Sequence, residues 1–141
     1  MKIEELKKRL VDEDYSLIAV RDDFEYVSKA GGIFPIISKL DDRYFFKDCI
    51  VVDKVVGKAS AMLLIRSKVK RVHGLLVSEA AVKIMNEYGI EFSYDELVPY
   101  IINRTGDDMC PMEKTVKDID DLDEAYLALK DKLKQLRNNK W

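Results

Sequence analysis

VVDKVVGKASAMLLIRSKVKRVHGLLVSEAAVKIMNEYGI, residues Val51 to Ile90, spells one helix, one buried strand and a second helix in succession. Val72–Val77 (VHGLLV) is almost continuously apolar, the pattern of a strand covered on both faces and so central and parallel in its sheet. Ser78 can then accept from a free N–H of the next first turn, with Glu79 in that turn. Val82, Ile84, Met85 and Tyr88 line the inner side of this helix, and Gly89 stops it. Ile90, Phe92 and Tyr94 alternate with Glu91, Ser93 and Asp95, so another strand follows at once. Strand, helix and strand joined this tightly make a right-handed parallel crossover.

Upstream of that unit, Asp53 is the expected N-cap of the first helix. Val55, Val56, Ala59, Met62 and Leu63 share one face, and Ala61 and Leu64 extend the apolar surface nearly all round, as in a buried helix. Gly57 inside it would cost about 1 kcal/mol relative to Ala, which suggests close approach by another backbone or by a ligand. Lys54 and Lys58 put two cations on the positive end of the helix dipole, unfavourable by roughly 0.3–1 kcal/mol each without an anion nearby. Such an end attracts a phosphate or carboxylate. The plainer alternative is that both lysines reach into water or pair with neighbouring carboxylates. His73, alone of its type and set in the buried strand, is expected to be a satisfied core imidazole rather than a metal ligand.

The flanking segments look arranged to cover this centre. Ile3, Leu6, Leu10 and Val11 recur at helical spacing, Ser16–Arg21 and Phe24–Ser28 pair as a hairpin around Asp22-Asp23, and Pro35 opens a short helix with Ile36, Ile37 and Leu40 turned inward. Val98–Arg104 (VPYIINR), broken by Pro99, fits an edge strand or a turn of helix equally well. Gly106 centres a loop that delivers Cys110-Pro111-Met112-Glu113, a helix start with Cys110 at or just before the N-cap. A thiol there can be activated by the dipole, helped by Lys114 and opposed by Asp107, Asp108 and Glu113; it can equally be a small half-buried filler. Leu122, Tyr126, Leu129, Leu133 and Leu136 step along a C-terminal helix, expected to dock on the sheet or form a dimer seam. The basic residues at its end suit a solvated helix terminus better than a nucleic-acid arm.

With 141 residues, of which 48% are apolar, the chain suits one domain over 1–141: an N-terminal helix over 1–13, an α/β core over 15–118 and a C-terminal helix over 121–138. Lys and Arg number 24 against 26 Asp and Glu, a net charge of −2, so no overall field draws nucleic acid or an anionic membrane. The longest purely apolar run, Ala61–Ile65, is far too short to span a bilayer, and MKIEELKKRL is amphipathic rather than signal-like. A cytoplasmic location is expected, with Cys49 and Cys110 both free in a reducing compartment.

LLVSEAAVKIMNEYGIEFSY resembles the second half of the cytidine-deaminase-like fold. There a buried strand runs into a Pro-Cys-x-x-Cys helix and then a Gly-Ile step, while the preceding helix opens with His-x-Glu. The resemblance implies a three-layer α/β/α sandwich with a mixed sheet. It also places Ser78-Glu79-Ala80-Ala81 where the metal-binding cysteines would sit, and Asp53-Lys54 with Gly57-Lys58-Ala59 in place of His-x-Glu. No thiolate or imidazole stands at these positions, so no zinc, other metal or cofactor is expected, and zinc-dependent deamination is disfavoured. DKVVGKASAMLL, SEAAVKIMNEYGI and NRTGDDMCPME together resemble the bacterial domain-of-unknown-function family 1893, over most of the chain from Ser16 to about Lys130. If the fold analogy holds, the openings of the two helices and the Cys110 loop converge at the carboxyl ends of the strands, where open α/β sheets place ligands.

Three functions follow as expectations. The first is a zinc-free pocket for an anionic or nucleotide-like small molecule, with Lys54 and Lys58 meeting the charge. Asp53, Ser78 and Glu79 would face the ligand beside Gly57, and Asn103 and Arg104 would close one side. The second is a metal-independent enzyme with Cys110 as a reactive thiol and Asp53 or Glu113 moving a proton. The third is a non-catalytic regulatory or assembly protein, a homo-oligomer joined through the C-terminal helix.

Overall fold

The computed structural model describes residues 3–103 and 105–139. In chain order the elements are α1 (Ile3–Asp12), β1 (Leu17–Arg21), β2 (Phe24–Ser28), α2 (Phe34–Ile37), β3 (Ile50–Val56), α3 (Lys58–Arg66), β4 (Arg71–Ser78), α4 (Glu79–Glu87), β5 (Glu91–Val98), α5 (Pro111–Val116) and α6 (Leu122–Asn139). The strands form one mixed sheet in the order β2-β1-β3-β4-β5. β1 is antiparallel to both of its neighbours, whereas β3, β4 and β5 run parallel.

The main departure from the sequence reading is β3. IVVDKVV is a strand and not the first turn of a helix, so Asp53 is no N-cap and Lys54 lies on no helix. Five of its seven residues are β-branched, and such side chains fit a pleated surface better than a helix. The helix begins four residues later than expected, with Gly57 as its N-cap in extended backbone, φ −99° and ψ −178°. The expected parallel strand is β4, paired on both sides, although β3 takes the middle of the sheet. Ser78 caps α4 as expected, its hydroxyl accepting from the Ala81 N–H at 3.1 Å. Gly89 ends that helix at φ +68°, a conformation that favours glycine.

Helices flank both faces. On one, Leu6 and Leu10 of α1 pack over Ile18, Val20 and Val52. On the other, Leu17, Ala19, Val51, Val72 and Val77 meet Ala59, Met62, Leu63, Ala81 and Met85 of α3 and α4 in the larger core. α6 buries Ala125, Tyr126 and Leu129, but against α3 and α5 rather than directly on the sheet. Beyond Val98 the backbone follows neither expected course. Pro99 cannot donate to a ladder, and the only pairing among residues 99–103 is an isolated bridge from Ile102 to Met109. No helix among the described residues is long and apolar enough to cross a membrane.

Candidate functional site

A helix beginning at glycine has no side chain to accept from its own first N–H groups. The missing acceptor comes from α5. The Lys58 N–H donates to Glu113 Oε1 at 2.6 Å, and the Ala59 N–H donates to Oε2 at 3.0 Å. A Cβ at position 57 would stand 2.4 Å from the Glu113 carboxyl, so the glycine is needed for close approach by a side chain of the same chain, not by a backbone or ligand. The anion expected at this helix end is therefore Glu113 itself. Burial pushes its pKa up from the usual carboxyl range, against the two N–H groups and the Lys58 charge, which pull it down.

Glu113 also divides two hollows. The larger, about 450 Å³, opens between the first turns of α3 and α4 and the chain leaving β5. Lys58, Ser78, Lys83, Tyr100 and Lys117 border it, with Glu87, Asp118 and Asp120 adding negative charge. Lys58 reaches the Lys117 carbonyl and Asp120 Oδ1, each at 3.3 Å, so it is held rather than free. Lys83, Tyr100 and Lys117 were not among the expected site residues. Ala80, Lys83, Ile84 and Glu87 all border this hollow at helical spacing, so one face of α4 could have been singled out from Ser78 onward.

The smaller hollow, about 180 Å³, lies on the other side of Glu113 and is bordered by Asp53, Gly57, Ser60, Cys110 and Met112. Asp53 is only 5% exposed. Its Oδ1 accepts from the Val55 N–H at a long 3.4 Å, and its Oδ2 is buried without a hydrogen-bond partner among the described residues. Burial raises its pKa to about 8, only partly offset by the backbone N–H groups of Val55 and Lys54. Near neutral pH Asp53 is thus mostly the neutral acid. Cys110 is the N-cap of α5, half-buried, and its side chain makes no capping bond.

The other expected site residues are scattered. The exposed Lys54 also borders the smaller hollow but pairs with Asp14 at 3.3 Å, the plainer of the two alternatives for it. Glu79 is exposed and borders neither hollow. Asn103 folds its side chain into its own turn, its Oδ1 accepting from the Gly106 N–H at 2.9 Å and the Asp107 N–H at 3.2 Å. Arg104 lies outside the described residues. Lys114 pairs with Asp108, not with Cys110. His73 pairs across the sheet with Val52, on the face that α1 covers. Its Nδ1 lies 2.7 Å from Ser93 Oγ and its Nε2 3.2 Å from Asp95, and burial lowers its pKa despite that carboxylate.

The openings of α3 and α4 do not suit a deaminase zinc. The residues there are Gly57, Lys58, Ala59, Ser78, Glu79, Ala80 and Ala81, and none carries the thiolate or imidazole such an ion requires. No group of three or more His, Cys, Asp or Glu side chains among the described residues is placed to hold a metal ion.

These features define an α/β protein built on a five-stranded mixed sheet flanked by helices, with two hollows beside the helix starts. The family described as TM1506, domain of unknown function (DUF1893), matches residues 5–133, and the chain belongs to that family. A solved structure of a DUF1893 family protein, TM1506 from Thermotoga maritima, is similar to it at 34% identity and a TM-score of 0.84, covering 92% of this chain and 88% of that one. No curated protein matches.

Proposed function

We propose that the protein binds a small anionic or nucleotide-like molecule in the larger hollow, within a three-layer, deaminase-like frame that works without zinc. One observation carries this reading: the first turns of α3 and α4, following parallel strands β3 and β4, border the same 450 Å³ space. Open α/β sheets bind ligands at this end of their strands. Lys83 and Lys117 supply positive charge, and Lys58 would have to exchange Asp120 for the ligand. Glu113 already occupies the N–H groups that start α3, so the ligand's anionic group belongs nearer α4 and the lysines. The β4-α4-β5 unit, with its Ser78 cap and Gly89 stop, supports the deaminase-like reading of the frame.

Thermal-shift measurements with millimolar nucleotides and sugar phosphates test the proposal. A ligand at a hundred times its Kd stabilises the chain by about 2.7 kcal/mol. The expected result is a clear rise in Tm that disappears in the Lys83→Glu, Lys117→Glu double variant. No rise with any anionic compound, or an equal rise in the variant, overturns it.

A further inference from the structure

The two edges of the sheet are protected to different degrees. β2, at one edge, spans five residues and exposes none of its apolar side chains. β5, at the other, is eight residues long, and among the described residues its backbone pairs with β4 alone. Beyond Val98 the chain turns back over the sheet. Pro99 and Tyr100 border the larger hollow and Ile101 the smaller one, so this segment does not run along the outer side of β5. Of the eleven large apolar side chains exposed among the described residues, five lie in or beside β5: Tyr88, Tyr94, Leu97, Tyr100 and Ile102. Edges of this length ordinarily carry charge, proline or a bulge that discourages pairing. Here Pro99 falls past the strand end, and the charges of Glu91 and Asp95 are offset within the chain by Arg71 at 3.2 Å and Lys7 at 2.8 Å.

We infer that β5 pairs with β5 of a second copy of the chain, antiparallel about a twofold axis, joining the two sheets into one. An edge strand offers main-chain groups from alternate residues only, so in a symmetric antiparallel pair the axis passes through a residue position. Charge selects which one. Centred on Ser93, the pair sets Glu91 of one copy against Asp95 of the other; centred on Asp95 or Glu96, an acid meets itself. Centres nearer either end overlap too little of the strand. Centred on Tyr94, the opposed pairs are Glu91 with Leu97, Phe92 with Glu96, Ser93 with Asp95, and Tyr94 with Tyr94, and no like charges meet. The strand thus complements itself in one long register, which favours a second copy over an unrelated peptide as the partner. The two exposed Tyr94 rings stand together at the axis, and cross-strand aromatic pairs stabilise an antiparallel ladder.

Sedimentation equilibrium of the full chain, from millimolar to micromolar concentration, tests this pairing, and a reversible monomer-to-dimer equilibrium is expected. Tyr94→Lys and Tyr94→Glu, which set like charges at the axis, each weaken the dimer by about tenfold, and mixing the two variants restores association. Leu97→Lys, facing Glu91 of the other copy, tightens the dimer by about threefold, and Leu97→Asp weakens it by about as much. In the dimer, hydrogen exchange slows at the alternate amides of β5 that β4 leaves free, and Tyr94→Lys abolishes the slowing. Should the Tyr94 variants fail to fold, the opposed Leu97 substitutions decide. A chain that stays monomeric at millimolar concentration, association indifferent to the Tyr94 variants, or Leu97→Lys and Leu97→Asp acting alike overturns the inference. So does a dimer that is kept in the β5 variants but lost on Leu127→Glu, at an exposed position of α6, which would place the seam on the C-terminal helix.

Discussion

Glu113 and Asp53 are two buried acids at the same end of the sheet, bordering the same small hollow, and burial raises the pKa of both. They differ in what surrounds them. Glu113 meets two N–H donors and the positive end of α3, while Asp53, among the described residues, has a single long bond and an oxygen with no partner. The first joins α5 to α3 and holds the fold together. The second costs the fold stability once it ionises, because burial without matching donors disfavours the charged carboxylate.

Removing the satisfied acid should have the largest effect. Glu113→Ala leaves the Lys58 and Ala59 N–H groups without an acceptor beside a void at Gly57, and a loss of about 3–5 kcal/mol is expected from urea unfolding. Glu113→Gln, with one acceptor left, should recover part of it. A loss below about 1 kcal/mol would make the contrast between the two acids untenable.

Replacing the unsatisfied acid should act in the opposite direction. The folded-state pKa of Asp53 lies above its unfolded value, so the folded chain holds the extra proton between about pH 4 and about pH 8. Stability from this group is full below that window, falls as pH rises through it, and levels off above. Asp53→Asn should therefore raise stability at pH 7 by about 2–4 kcal/mol and flatten the profile across the window. A variant less stable than wild type at pH 7 would show that Asp53 is structural after all.

Gly57→Ala sharpens the comparison from the glycine side. A Cβ crowding the Glu113 carboxyl should cost about 1–3 kcal/mol, and much less once Glu113 is already Ala, a coupling that a double-mutant cycle reads directly. Lys54→Ala, which breaks only the exposed pair with Asp14, should change stability by under about 0.5 kcal/mol.

Much of this arrangement was legible in the sequence, and the errors have physical causes. The β4-α4-β5 unit could be read because its signals are local: an apolar strand, a serine cap and a glycine stop within a few residues. β3 reads as helix from sequence because VVDKVVGKASAMLL keeps an apolar residue at nearly every helical step, and short apolar runs do not separate strand from helix by periodicity. Its valine content and Gly57 as a possible N-cap were the signals that could have corrected it. The Lys58 and Ala59 contacts of Glu113 span 55 and 54 residues, and no local pattern encodes them. The sequence signal was indirect: a buried helix starting at a residue without a side chain needs an acceptor from elsewhere. The sequence named Asp53, but for a role the strand does not give it.

Whether Asp53 stands without a partner can be measured through the carboxyl ¹³C shift of that one residue, assigned against Asp53→Asn, across the pH range in which the chain stays folded. A midpoint near 8 is expected. A midpoint near the ordinary carboxyl value of about 4 would mean that the carboxylate is stabilised where it sits, and the contrast with Glu113 would have to be abandoned.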